Sequence, residues 1–372
     1  MKINCRREPL TAAFSLAASI APTRSPKEIL QNVKVTADAG KITLTATDME
    51  VGIRLELTDG VEIETEGTAL LPVARTMAIL RESNDETLTF ETDESGIRVH
   101  GRHSKFKLPG NNPDEFPSAV GFEEDKYHVI ATRLFREMVK RTVFATDAES
   151  SRYALGGVLL EMVEGDITAV GTDGRRLARV VGTGEAVGGH QTTGTSTIVP
   201  TRAIQLMERA LDDRDETIDV AARSNDLLLR TPKAVIYSRL VEGRYPNWRQ
   251  VFPQRENAVQ IDMTVGPLFA ALRQAAIVTD HESRGIDFTF ADGTLKLEAS
   301  TAEIGESQVD LPIAYDGEPI TLTMDHRYVA DFCKVLDNET NFIMEIESSA
   351  APAVLMTDDG YGYVIMPMAR DR

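Results

Sequence analysis

The chain states one pattern three times, at a spacing of roughly 125 residues, a third of its 372-residue length. Each copy opens on an amphipathic stretch with helical spacing: Leu10 to Ile20, Leu134 to Phe144 and Leu268 to Val278. A hairpin pattern follows in each, VKVTADAGKITLTATD ending at Asp48, GVLLEMVEGDITAVGTD ending at Asp173 and IDFTFADGTLKLEAST ending at Thr301. A second helix then begins near a strand end, at Pro72 to Glu82, Pro200 to Leu211 and Met324 to Leu336. A period this long describes a domain, not a solenoid unit. The remaining segments, such as 86–101, 216–231 and 341–368, alternate apolar and polar residues around Gly, Asn and Asp turns, which is the pattern of antiparallel strands with one face on a core. The fold expected is therefore α+β: three repeated domains, each with two helices laid on one side of antiparallel sheets. Stretches rich in proline, glycine and acid at 108–126 and 243–258 separate the copies, and the expected domains are 1–122, 127–247 and 248–372.

Composition removes several classes. No apolar run approaches the roughly 20 residues of a membrane span, and the opening MKINCRRE has no apolar signal region, so a cytoplasmic protein without a membrane partner is expected. Cys5 and Cys333 stand alone in different copies and read as reduced thiols. The six histidines are scattered and no GxxxxGK[ST] loop occurs, so neither a metal nor a cofactor is expected.

The net charge of −18 argues at first against nucleic acid, whose phosphates are held by lysine and arginine. The charge is segregated, however. The six helix windows (6–20, 73–82, 132–145, 200–211, 265–278 and 325–336) hold 13 lysines and arginines against 6 acids, while the rest of the chain holds 27 against 52. The bias is strongest in Arg133, Arg136, Lys140 and Arg141, whose spacing of three and four runs along one helical side. Units of this kind joined head to tail close into a ring or run on as a filament, and an open edge strand invites such joining.

Six stretches carry a family resemblance: MKINCRREPL at the start, RYALGGVLLE (152–161), AVGTDGRRLARV (169–180), IVPTRAIQLM (198–207), SRLVEGRYPNWRQVFP (238–253) and YVIMPMAR (363–370). Over essentially its whole length the chain resembles the bacterial β sliding clamps, the processivity subunits of DNA polymerase III holoenzyme. The resemblance implies three clamp-fold domains and a head-to-tail homodimeric ring whose helices line the hole. It implies loading onto primed DNA by an ATP-driven clamp loader, sliding on double-stranded DNA, and tethering of the replicative polymerase α subunit, other polymerases and repair proteins. Such a ring is non-catalytic. A modestly positive lumen in an acidic shell suits it, because the grip is topological and no base needs to be read.

Carried onto this sequence, the resemblance implies DNA contacts at Arg24, Arg75, Arg152 and Tyr153, with Arg202 and Arg209 as further lumen candidates. It implies a partner-peptide pocket of Leu155, Thr172, Gly174, Arg175, Arg176 and Leu177, of Pro246 and Val251 from the connector, and of Val364, Ile365, Met366, Pro367 and Met368 from the tail. Apolar anchors of an extended peptide need a preformed apolar groove, and methionines adapt to several partners. It implies a dimer contact of Phe106 and Leu108 with Ile277 and Val278. The sequence departs from the family pattern at Ala154, where a second aromatic is common, at Arg175 (histidine), at Gln250 (arginine) and in the tail 369–372. Those departures leave open a duplicate clamp specialised for repair or drug tolerance. From a different class, the alternative is a metal-dependent nuclease or polymerase built on Asp212, Asp213 and Asp215 or on Asp358 and Asp359, which stand in turn-like contexts without a motif-spaced partner.

Overall fold

The computed structural model describes residues 1–93, 96–118, 120–147, 153–192, 196–252, 258–280 and 284–368. Its helices are α1 (Arg7–Ala18), α2 (Val73–Glu82), α3 (Thr132–Thr142), α4 (Thr201–Arg209), the one-turn α5 (Trp248–Val251), α6 (Val265–Ala275) and α7 (His326–Lys334). Six of the seven, α5 excepted, start at the residue after a strand ends: after Arg6, Pro72, Ala131, Pro200, Thr264 and Asp325. The first helix of each copy therefore begins two or three residues before the apolar periodicity does. Burial follows that periodicity. Leu10, Ala13, Phe14 and Ala17 are the buried face of α1, and Val329, Phe332 and Cys333 that of α7. Asp325 caps α7 by accepting the Arg327 amide at 3.0 Å.

The three hairpins form where the sequence places them, as Asn32–Asp38 with Lys41–Thr47, Gly157–Val163 with Asp166–Thr172, and Gly285–Ala291 with Thr294–Thr301. Their tight turns need left-handed backbone. Ala39 and Gly40 (φ 48° and 79°) supply it in the first, and Asp292 and Gly293 (φ 47° and 73°) in the third.

Contacts gather the chain into two compact units, one of residues 1–133, 184–192 and 202–240, the other of 134–183, 193–201 and 241–372. The second copy contributes to both, because its sheets are continuous with its neighbours' sheets. In the first unit a nine-stranded antiparallel sheet is joined across copies by Val51–Leu57 against Ala234–Arg239. A five-stranded sheet beside it ends on Lys105–Leu108. In the second unit an eight-stranded sheet is joined by Arg176–Thr183 against Tyr361–Ile365, and a four-stranded sheet ends on Gly305–Pro312. The second core is rich in aromatic rings: Phe332 stacks on Tyr361 and Tyr363 and meets Phe342 edge-on. Cys5 and Cys333 are buried free thiols, each pushed up to about 12 by burial and so inert as thiolates. Among the described residues, no helix is long and apolar enough to cross a membrane.

One buried polar pair gives the first unit a pH dependence. His128 and His190 face each other with Nδ1 atoms 2.7 Å apart, a distance that requires a single proton between them. Burial first, and then His128, hold His190 below the ordinary imidazole value of 6.5 against the opposing effect of Ala222. The unfolded chain thus takes up a proton before the folded one. Stability is whole above the unfolded value and is lost as the pH falls through it. Melting temperature is expected to drop between about pH 7.5 and about pH 5, with a shallower drop in a His190→Gln chain; equal slopes in the two chains would remove this pair as the cause.

Candidate partner-peptide pocket and DNA-facing residues

Leu155 apart, the residues proposed for the pocket lie in three separate stretches of the second unit. In the first, GTDGRR, Asp173 Oδ1 accepts the amides of Arg175 (2.9 Å) and Arg176 (3.0 Å), while Thr172 Oγ1 accepts the Gly174 amide at 3.1 Å and donates to the Arg176 carbonyl at 2.6 Å. Gly174 is left-handed at φ 88°. The turn leaves Gly174 and Arg175 exposed and sends Arg176 inward. There Arg176 Nη1 donates to Asp331 at 2.7 Å, Nη2 donates to the Phe144 carbonyl at 2.6 Å, and Nε donates to Asp173 at 3.0 Å, with the Tyr328 ring 4.5 Å from the guanidinium. Burial opposes its charge, but Tyr363, Asp331 and Asp173 outweigh burial and hold it firmly protonated. Arg176 therefore braces the turn from beneath.

The connector supplies the second stretch. Tyr245 is buried and donates from its hydroxyl to the Val170 carbonyl at 3.0 Å, and Trp248 sits in the same cluster as Leu159, Val170, Leu177, Ile198, Val354 and Val364. Arg249 covers the Trp248 ring at 4.3 Å and grips buried Glu161 with two hydrogen bonds of 3.1 and 2.7 Å. With those side chains turned inward, Pro246, Gln250 and Val251 are left at the surface.

The tail supplies the third. Leu177 pairs with Val364 and Arg176 with Ile365 across the sheet, and the tail continues as the Met366 amide donates to the Arg175 carbonyl (2.9 Å) and the Met368 amide to the Thr323 carbonyl (2.8 Å). Val364 and Ile365 are buried, whereas Met366 and Met368 are 41% and 39% exposed and Val251 is 42% exposed. These stretches share the buried apolar residues Leu177, Trp248 and Val364, and the connector and tail leave valine, proline and methionine exposed, side chains of the kind on which an extended peptide with apolar anchors docks. Leu155 is buried at 5% exposure, and Thr172 is committed to the turn.

Family profiles described as DNA polymerase III beta subunit, N-terminal, central and C-terminal domain match residues 1–120, 129–247 and 249–369. The chain belongs to the DNA polymerase III beta subunit family. It is 29% identical to the beta sliding clamp of Synechococcus elongatus, with 99% of each chain covered, and 27% identical to that of Pseudomonas aeruginosa, with 99% and 100% covered. The solved beta subunit of Pseudomonas aeruginosa superposes over the full length of both chains with a TM-score of 0.90 at 25% identity. Another structure of a Pseudomonas aeruginosa sliding clamp, bound to griselimycin, gives 0.91 at 25%.

The other positions implied for a beta clamp lie as follows. Arg24 and Arg75 are exposed, the first in the loop after α1 and the second on α2. Arg152 and the side chain of Tyr153 lie outside the described residues. Arg202 is half-exposed but engaged: its guanidinium pairs with Asp48 and donates to the Ile20 carbonyl at 3.1 Å, at the end of α1. Arg209 is exposed on α4. The basic stripe on α3 is shorter than its spacing suggests. Arg141 turns away from it, forming an ion pair with Glu137 (2.9 Å) and donating a hydrogen bond to Asp359 (2.6 Å) above the Tyr361 ring. At the sheet edges, Phe106 is 40% and Ile277 74% exposed, Val278 is half-buried, and Leu108 points inward at 7%.

Of the five carboxylates, Asp212 and Asp359 are paired with cations. Asp212 meets Arg214 and Lys233, which hold its carboxyl well below the usual range, and Asp359 meets Arg141. Among the described residues, no three His, Cys, Asp or Glu gather as metal ligands. Sequence reasoning missed Tyr245, Trp248, Asp331 and the Glu161–Arg249 pair. Trp248 had a signal, being the chain's only tryptophan; the other three had none, because their partners lie far away along the chain.

Proposed function

We propose that two copies of this chain join head to tail into a ring around duplex DNA and act as a sliding clamp that tethers DNA polymerase III, the clamp loader and other polymerases and repair proteins. The observation that carries this reading is the match of three successive beta-subunit domains over nearly the whole chain. Two open sheet edges support it. One is Lys105–Leu108 with exposed Phe106. The other is Gly305–Pro312 beside the end of α6, where Ser307 Oγ donates to the Ala275 carbonyl at 2.7 Å and Ile277 stands out. An edge strand carrying an apolar residue is a liability until another chain covers it. We assign Arg24, Arg75 and Arg209 to loose phosphate contact, with Arg202 serving instead to tie Asp48 to α1. The domains are taken as 1–122, 127–247 and 248–372, the subunit as non-catalytic, and its place as the cytoplasm, on the nucleoid.

Retention on nicked circular DNA after loading with a cognate loader and ATP tests the ring. The protein is expected to stay on the circle and to leave once the circle is cut; retention on the linear form would overturn encirclement. The purified chain with magnesium or manganese is expected neither to incorporate nucleotides nor to degrade DNA, and either activity would reinstate the enzyme reading.

A further inference from the structure

The GTDGRR turn has a twin in the first unit, and a cavity lies beside it. In Thr47–Val51, Asp48 Oδ1 accepts the amides of Glu50 (3.0 Å) and Val51 (2.7 Å), while Thr47 Oγ1 accepts the Met49 amide (3.0 Å) and donates to the Val51 carbonyl (2.9 Å). These are the bonds of Thr172 and Asp173, repeated. The register repeats as well: Val51 opposite Ser238 and Gly52 opposite Tyr237 correspond to Arg176 opposite Ile365 and Leu177 opposite Val364. The connector also repeats, since buried Phe116 precedes Pro117 as buried Tyr245 precedes Pro246. By this correspondence Tyr237 and Arg239 stand where Val364 and Met366 stand in the other unit. The cavity, of about 250 Å³, is lined by Met49, Gly52, Pro117, Val120, Tyr237 and Arg239 among others.

The twin differs in ways that open it. Gly52 replaces Leu177, and no side chain fills the space; a Cβ there would find its nearest neighbour at an ordinary 3.5 Å. Met49 replaces Gly174 in left-handed backbone at φ 81° and is 45% exposed. An L-residue in that conformation stores strain, and an exposed thioether chain gains nothing from it in the free protein. Arg239 brings a cation, which meets Glu50 at 3.4 Å with both side chains more than half exposed, a weak contact that another carboxylate can replace.

We propose that this cavity is a second docking site for an extended peptide of a partner protein, one that sets an aliphatic side chain over Gly52 against Met49 and Val120 and a carboxylate on Arg239. The inference rests on reading the GTDGRR pocket as a peptide site. The two sites separate in one experiment, because each has its own methionines. The full-length protein with isotope-labelled methionine methyls is titrated with the acetylated, amidated peptide Ala-Leu-Asp-Ala. The Met49 methyl is expected to shift saturably, with a Kd on the order of a few millimolar for so small a ligand. The Asn peptide Ala-Leu-Asn-Ala is expected to bind this site about tenfold more weakly. Arg239→Ala should abolish the preference for Asp and leave Met366 and Met368 responding as before. A silent Met49 while Met366 and Met368 respond would overturn the second site alone. Equal binding of the Asp and Asn peptides at Met49 would overturn the acidic class of ligand. Silence of Met366 and Met368 would instead overturn the assignment of the first pocket.

Discussion

An Arg176→Ala chain is expected to lose about 1–3 kcal/mol of stability in the second unit, the range for leaving a buried acceptor without its donor. The side chain is only 10% exposed and joins the GTDGRR turn to Asp331 on α7 and to the Phe144 carbonyl just beyond α3. Asp331 retains Lys334 at 2.9 Å and Asp173 retains its backbone amides. The loss therefore falls on the Phe144 carbonyl, on the space between the Phe144 and Tyr328 rings, and on the anchoring of the turn. Trp248, the only tryptophan, lies in the same unit and reports its unfolding by fluorescence in urea. Arg175→Ala, one residue away and exposed, is expected to stay within about 0.5 kcal/mol of the parent chain. A pair of variants with equal midpoints would show that Arg176 is not a brace. Peptide affinity should fall with Arg176→Ala even in buffer without urea, because the loosened turn carries the Arg175 carbonyl that holds Met366.

Phe106→Asp and Ile277→Asp are each expected to turn the dimer into a monomer of 40.9 kDa in sedimentation velocity. A carboxylate forced into an apolar contact without a partner costs several kcal/mol, and about 4 kcal/mol raises a dissociation constant roughly a thousandfold. Both side chains are exposed in the free chain, so the folded subunit should be unaffected and its melting unchanged. Val163→Asp, at a residue 48% exposed in the hairpin of the second copy, is the matched control and should remain dimeric. A Phe106→Asp or Ile277→Asp chain that kept twice the subunit mass would exclude that residue from the interface. Leu108 makes a different prediction: at 7% exposure it belongs to its own sheet opposite Ile97, so Leu108→Asp should damage folding before it affects assembly.

Much of this chain was legible before its fold was seen, for a local reason. Helical periodicity marked all six long helices, and X-Gly turns marked the hairpins, because both signals depend on residues within a few positions of one another. The exposure of Met366 and Met368 was not written in the sequence, because it depends on how the tail pairs with the GTDGRR turn. Misreadings arose where direction depended on a distant partner. Arg141 looked like part of an exposed stripe, yet Asp359, 218 residues away, draws it inward. Arg202 looked like a free lumen cation, yet Asp48 and the end of α1 hold it.

By itself the sequence determined the threefold plan, the helices, the hairpins and the apolar tail, all written in short-range pattern. Only the tertiary structure decided which sheets fuse across copies, that Arg176 braces while Arg175 is displayed, and that the first unit holds a twin of the GTDGRR turn beside an open cavity. The reason is physical. Strand pairing and side-chain burial are settled by which edges and charges meet in space, and contacts such as Arg176 with Asp331, 155 residues apart, leave no periodic trace along the chain.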